Sequence, residues 1–185
     1  MSSRIQLLGL RRRALAAGGV AALAAAGAAT ALATASAGAA VPHRAAVSTP
    51  ACATAQLAIK FVNKPNGAAG TIYYPIQFTN NGTHACTLRG YPGVSAVTSS
   101  GGQIGNSASR SGTPVKTVTL APKKSASSMV GFVQTANFPA AKCKPVTAKG
   151  LRIIPPNQAK SVTIKRSFSA CSSKSVSFLT VMPVK

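Results

Sequence analysis

Beyond residue 52 the chain alternates apolar and polar positions with a period of two, and turn-rich segments interrupt the alternation. Leu57, Ile59 and Phe61 form the first run, and Asn63 to Gly70 reads as a loop. Ile72, Tyr74, Ile76 and Phe78 form the second run. Pro75 removes one backbone donor from it, which places the neighbouring segment at a sheet edge or a bulge. Asn80-Asn81-Gly82 turns the chain toward Cys86 and Leu88, and Gly90-Tyr91-Pro92-Gly93 turns it again toward Val94, Ala96 and Thr98. The Gly- and Ser-rich stretch from Ser99 to Thr113 reads mostly as loop. Val115 to Leu120 and Ser127 to Val133 follow as strands, then segments around Leu151, around Val162 and from Phe178 to Val184. No segment after Cys52 carries a helical period. About eight or nine short strands at this spacing predict an all-β, immunoglobulin-like β-sandwich.

The first forty residues belong to a different pattern. Arg4 and Arg11-Arg12-Arg13 precede an apolar stretch from Ala14 to Ala33 made almost wholly of Ala, Gly, Leu and Val. Small residues then fill every position up to Ala40. A basic head, an apolar middle and a small-residue exit describe a secretory signal peptide, with cleavage expected between Ala35 and Ala40. The arginines also permit export by the twin-arginine route, and an uncleaved membrane anchor is the rival reading. Residues 41–51 read as a flexible leader, and 52–185 as one secreted domain.

Charge changes the picture most. The chain holds 21 Lys and Arg against no Asp and no Glu. A domain of this size ordinarily carries on the order of fifteen acids. Four arginines lie in the signal segment, so seventeen cations remain beyond it. Apart from the chain terminus, no carboxylate can neutralise them. Glycoside hydrolysis needs two carboxylates, Ca²⁺ and Mg²⁺ sites need anionic oxygens, and a Ser-His-Asp triad lacks its third member. No Ser-x-x-Lys pair occurs; Thr113-Pro-Val-Lys116 comes nearest. The sequence therefore reads as non-enzymatic, with no cofactor and no metal.

Cys52, Cys86, Cys143 and Cys171 are an even set in a chain expected to be exported, so they read as two disulfides. Three pairings are open. The one expected is Cys52–Cys86 with Cys143–Cys171, a staple for each end of the chain, each contributing about 3 kcal/mol. If cleavage follows Ala40, the mature chain begins Val41-Pro42-His43, and Pro42 lacks the N–H that an amino-terminal copper or nickel site would use. His84, in a turn beside Cys86, reads as a solvated side chain.

From Asn80 to Val94 the chain reads Asn-Asn-Gly-Thr-His-Ala-Cys-Thr-Leu-Arg-Gly-Tyr-Pro-Gly-Val. This resembles the signature of an actinobacterial secreted family known as a domain of unknown function, number 4232. Leu120-Ala-Pro122, the cysteines Cys143 and Cys171, and the closing run Leu179 to Val184 resemble it in the same order. The resemblance implies an envelope-associated β-sandwich with two disulfides and no assigned activity. The chain departs from it in lacking acids and in placing Lys123-Lys124 where a glycine is more usual. Gly90 and Gly93 bracket a tight turn, so the motif reads as architecture rather than as a binding site.

Lys142, Lys144, Lys149, Arg152, Lys160, Lys165, Arg166 and Lys174 crowd the segment around the later cysteines. Arg152 and Lys165 neighbour apolar strand positions and are expected to face outward. The eight form the candidate anion-binding surface, with anionic cell-wall polymers or lipid head groups as the expected partner. Two alternatives remain: an exported domain whose charge serves solubility, and a nucleic-acid binder. Against the second, exported proteins rarely meet nucleic acid, and the chain has no Trp. A secreted or wall-associated monomer is expected.

Acid unfolding acts mainly by protonating carboxylates that the native fold stabilises, and this chain has no such side chain. The melting temperature should therefore change little from neutral pH to below pH 4, and added salt should raise it by screening like charges. A melting temperature that collapses below pH 4 in a calorimetric series contradicts this.

Overall fold

The computed structural model describes residues 48–185. The expected signal segment, His43 and residues 41–47 of the leader lie outside the described residues. No helix among the described residues is long and apolar enough to cross a membrane.

Among the described residues twelve strands run in chain order: β1 (Leu57–Phe61), β2 (Asn66–Ala68), β3 (Thr71–Asn80), β4 (Cys86–Arg89), β5 (Gly93–Val97), β6 (Gln103–Ile104), β7 (Ser109–Arg110), β8 (Thr117–Leu120), β9 (Ser125–Val133), β10 (Pro145–Ile154), β11 (Val162–Cys171) and β12 (Leu179–Val181). Eight of them have four residues or more; these and β12, within the run from Phe178 to Val184, are the runs that alternation announces, and the short strands β2, β6 and β7 are not. One single-turn helix, α1 (Ala140–Cys143), precedes β10. One sheet has the order β1-β3-β9-β12-β7, with β2 also on β3. A second has the order β11-β10-β5-β6, and β4-β8 form a separate ribbon. The domain is an all-β sandwich stapled by two disulfides.

The interior follows the alternation. Ile76 and Phe78 of β3, Val130 of β9, Leu151 and Ile153 of β10, and Leu179 and Val181 of β12 are all essentially inaccessible to water. Burying a side chain of this kind stabilises by roughly 1.5–3 kcal/mol each. Cys52–Cys86 and Cys143–Cys171 are the bridges, the pairing expected, and they close loops of 34 and 28 residues. Loop entropy alone makes each worth about 3.5–4 kcal/mol.

The segment beside Pro75 lies at a sheet edge, as expected, whereas the two loop readings and the leader reading are interrupted by strand pairing. Pro75 itself lies in β3, which pairs with β9 on one side and with the edge segments β1 and β2 on the other. Its carbonyl accepts the Val62 N–H at 2.9 Å. A strand residue directs its N–H and C=O to the same neighbour. The missing donor therefore faces the gap just past Phe61, where β1 has ended and β2 has not begun, so the ladder loses nothing. The segment read as a loop from Asn63 to Gly70 contains β2, and the Ser99–Thr113 stretch contains β6 and β7. Gly105 holds that stretch against the second disulfide: its φ is +62°, and a Cβ there would collide with the Cys171 carbonyl. Ordered pairing also begins inside the expected leader. Pro50 accepts the Thr87 N–H at 2.8 Å, and Thr87 in turn accepts the Cys52 N–H at 2.9 Å.

Asn80, at the end of β3, is fully buried. Its Nδ2 donates to the carbonyls of His84 (2.8 Å) and Leu120 (2.9 Å), and its Oδ1 accepts the Gly82 N–H at 2.9 Å. The amide thus joins the Asn80–His84 turn to the end of β8. Asn80→Ala leaves these partners unpaired and should cost about 3 kcal/mol. Thermal unfolding should show a drop of about 10 °C; a drop below about 2 °C would mean that the amide is not a junction.

Candidate anion-binding surface

The eight cations expected to form one surface divide into four places. Lys142, Lys144 and Lys174 gather at the Cys143–Cys171 disulfide, all solvent-exposed. Their backbone is tightly held. The Lys144 carbonyl accepts from Ser172 through its N–H (3.2 Å) and Oγ (2.9 Å). The Lys142 carbonyl accepts Ser175 Oγ at 3.2 Å, and the Lys174 carbonyl accepts Asn106 Nδ2 at 2.7 Å. Lys144 caps α1 in the left-handed conformation (φ 50°). Three exposed lysines therefore stand on a hydrogen-bonded, disulfide-braced backbone.

Lys149 and Lys165 share a second place. With Thr98, Ser99 and Thr163 they line a hollow of about 350 Å³. Arg152 lies opposite Thr163 and Ser95 in the sheet, so it shares their face, on which Thr163 is exposed and Ser95 buried. It is half-buried there, with Nη2 donating to Gln103 Oε1 at 2.7 Å. Lys160 is third, beyond the far end of the β10–β11 hairpin, where its carbonyl accepts Thr54 Oγ1 at 3.2 Å. The ten residues of β10 separate it from the disulfide cluster, roughly 30 Å at about 3.3 Å per residue.

Arg166 does not join the others. It is half-buried and alternates in phase with Ile164 and Phe168. Its guanidinium carbon lies 4.3 Å from the Phe61 ring centroid and 4.7 Å from that of Tyr74. Alternation contained this result: Lys165 and Arg166 are consecutive on one strand and so point to opposite faces.

Sequence reasoning missed a further site. Arg89, Gly90, Tyr91, Arg110, Val115 and Asn157 line a polar hollow of about 280 Å³ at the Gly90–Gly93 turn. The Arg110 guanidinium lies 5.6 Å from the Tyr91 ring centroid, while Tyr91 Oη donates to the Gly112 carbonyl at 2.6 Å. Asn157 Nδ2 donates to the Arg89 carbonyl at 3.2 Å, so the strand end that carries Arg89 is fixed. Gly90 adopts φ +109°, a conformation that a side chain rarely takes, and nothing else crowds the position. Arg89 was visible within the motif, but Arg110 reaches it only because β7 pairs with β12, a non-local contact that local composition does not signal.

These features define an all-β domain of two larger sheets, a two-stranded ribbon and two disulfides, with exposed lysines and with arginines that meet an amide oxygen or ring faces. The chain belongs to the family described as a domain of unknown function, DUF4232, whose model matches residues 52–185. No curated protein matches the sequence.

Proposed function

We propose that the protein is an exported, non-catalytic binding domain that associates with anionic polymers or lipid head groups of a cell envelope. The observation that carries this reading is the Lys142–Lys144–Lys174 cluster. It is exposed, seated on a disulfide-braced backbone, and part of a chain with no acidic side chain to compete for it. Lysine suits such a partner, since a compact charge on a flexible stem follows a polymer of irregular phosphate spacing. Lys149 and Lys165 extend the same chemistry, and the Arg89–Arg110 hollow adds two guanidinium groups.

Export is supported by the signal-like segment and by two bridged cysteine pairs, which persist in oxidising compartments. Nucleic acid fits less well, because single-strand binders combine cations with stacking rings. Here Phe61, Tyr74, Phe132 and Phe168 form a cluster of their own, around Arg166 rather than around the lysines.

Binding to isolated envelopes and to a soluble poly(glycerol phosphate), followed across a salt series with DNA as competitor, tests the proposal. Retention by envelopes at about 0.15 M salt, with DNA a poor competitor, is the expected result. Replacing Lys142, Lys144 and Lys174 together by Gln should flatten the slope of log K against log salt by about two to three. Release from every polyanion at modest salt, or an unchanged slope, would assign the charge to solubility alone.

A further inference from the structure

A cavity of about 280 Å³ opens between β3, β9 and β11, lined among others by Ile72, Tyr74, Phe132, Gln134, Arg166 and Phe168. Its walls are aromatic to an unusual degree for this chain. Of six Phe and three Tyr, Tyr74, Phe132 and Phe168 line it, and Phe61 packs behind them against Tyr74. Phe132 stands edge-on to Tyr74 at 5.5 Å and to Phe168 at 5.1 Å, and Phe61 and Tyr74 are 4.9 Å apart. Every one of these rings is half-buried, unlike Phe78 and Phe178 of the core. The segment after β9 closes one end: the Gln134 N–H and Asn137 Nδ2 both donate to the Gly70 carbonyl, and Thr135 Oγ1 meets Ser169 Oγ at 2.9 Å.

Arg166 gives the cavity its polarity. Its guanidinium stacks beside Phe61 and Tyr74, and its one hydrogen bond among the described residues is a long one, 3.4 Å from Nη1 to Asn63 Oδ1. The chain supplies no side-chain carboxylate to take the remaining donors. A planar guanidinium held against rings presents a fork that matches a carboxylate, while the T-shaped ring pairs offer faces and edges to a further ring. The volume suits one flat ring system: a dry cavity about half that size already accepts benzene.

We propose that this cleft binds a small aromatic carboxylate, its ring among Tyr74, Phe132 and Phe168 and its carboxylate on Arg166. The site is independent of the polyanion surface, since none of Lys142, Lys144 and Lys174 lines it.

Titration of the full chain with 2-naphthoate, followed by the aromatic proton resonances, tests the assignment; 2-naphthylmethanol, octanoate and acetate are the comparison probes. Naphthoate should shift the resonances of Phe61, Tyr74, Phe132 and Phe168 and bind more tightly than octanoate, with acetate silent. Arg166→Gln should weaken naphthoate about tenfold or more and naphthylmethanol by less than about twofold. Phe168→Leu, which keeps the site apolar, should weaken both. The Lys142→Gln, Lys144→Gln, Lys174→Gln variant should bind naphthoate as the parent does, whatever becomes of its polymer binding. Octanoate binding more tightly than naphthoate, equal losses for acid and alcohol in Arg166→Gln, or absence of shifts at these rings would overturn the proposal. Loss of naphthoate binding in the lysine variant would move the site to the lysines and overturn it as well.

Discussion

A protein chain without acidic side chains must settle each of its cations on something other than a carboxylate. That constraint organises the surface of this domain. Where a guanidinium is partly withdrawn from water, it meets a neutral partner: Arg152 meets Gln103 Oε1, and Arg166 meets the faces of Phe61 and Tyr74. The exposed Arg110 lies beside Tyr91. The lysines at the second disulfide are exposed, and among the described residues it is their backbone carbonyls that are bound. Like charges repel over a Debye length of about 10 Å, so each lysine left in water adds a weak cost to compaction. The fold bears that cost through apolar burial, two cross-links and neutral junctions such as the buried Asn80 amide.

The same constraint separates two kinds of cationic site. Exposed lysines on a braced backbone hold charge in high dielectric, where attraction to a single small anion is slight and attraction to a polymer accumulates over many contacts. Arg166 sits in a half-buried aromatic setting, where one charge-assisted pair is worth more and geometry selects the ligand. One chain therefore carries an exposed cationic surface and a half-buried cationic cleft, which is why a different ligand is proposed for each.

Much of the fold was legible because period-two alternation is a local property. Leu57–Phe61, the long run through Phe78, and the runs holding Leu151 and Val162 all appear as strands of the sandwich. The two-residue strands β6 and β7 were not legible. They exist because Gln103–Ile104 and Ser109–Arg110 find partners in β5 and β12, and nothing in their own composition favours extension. Pro75 was legible as a neighbour of a sheet edge, but the gap that its missing donor faces depends on where β1 ends, which is a property of the partner strand. The candidate surface was read by proximity in sequence, and this failed wherever the hairpin carried charges apart. Lys160 is displaced by the length of β10, and Arg166 by the alternation of β11. The Arg89–Arg110 hollow needed a contact between residues 21 apart, which no local pattern records.

The central claim is that the lysines at the second disulfide are surplus to the fold and stand ready for an external anion. The most direct measurement is the thermal midpoint, at low ionic strength, of the variant with Lys142, Lys144 and Lys174 all replaced by Gln. The midpoint should equal or exceed that of the parent, because three mutually repelling charges are removed and no side-chain partner among the described residues is lost. A midpoint several degrees below the parent would show that these side chains hold the structure together, and would contradict the claim.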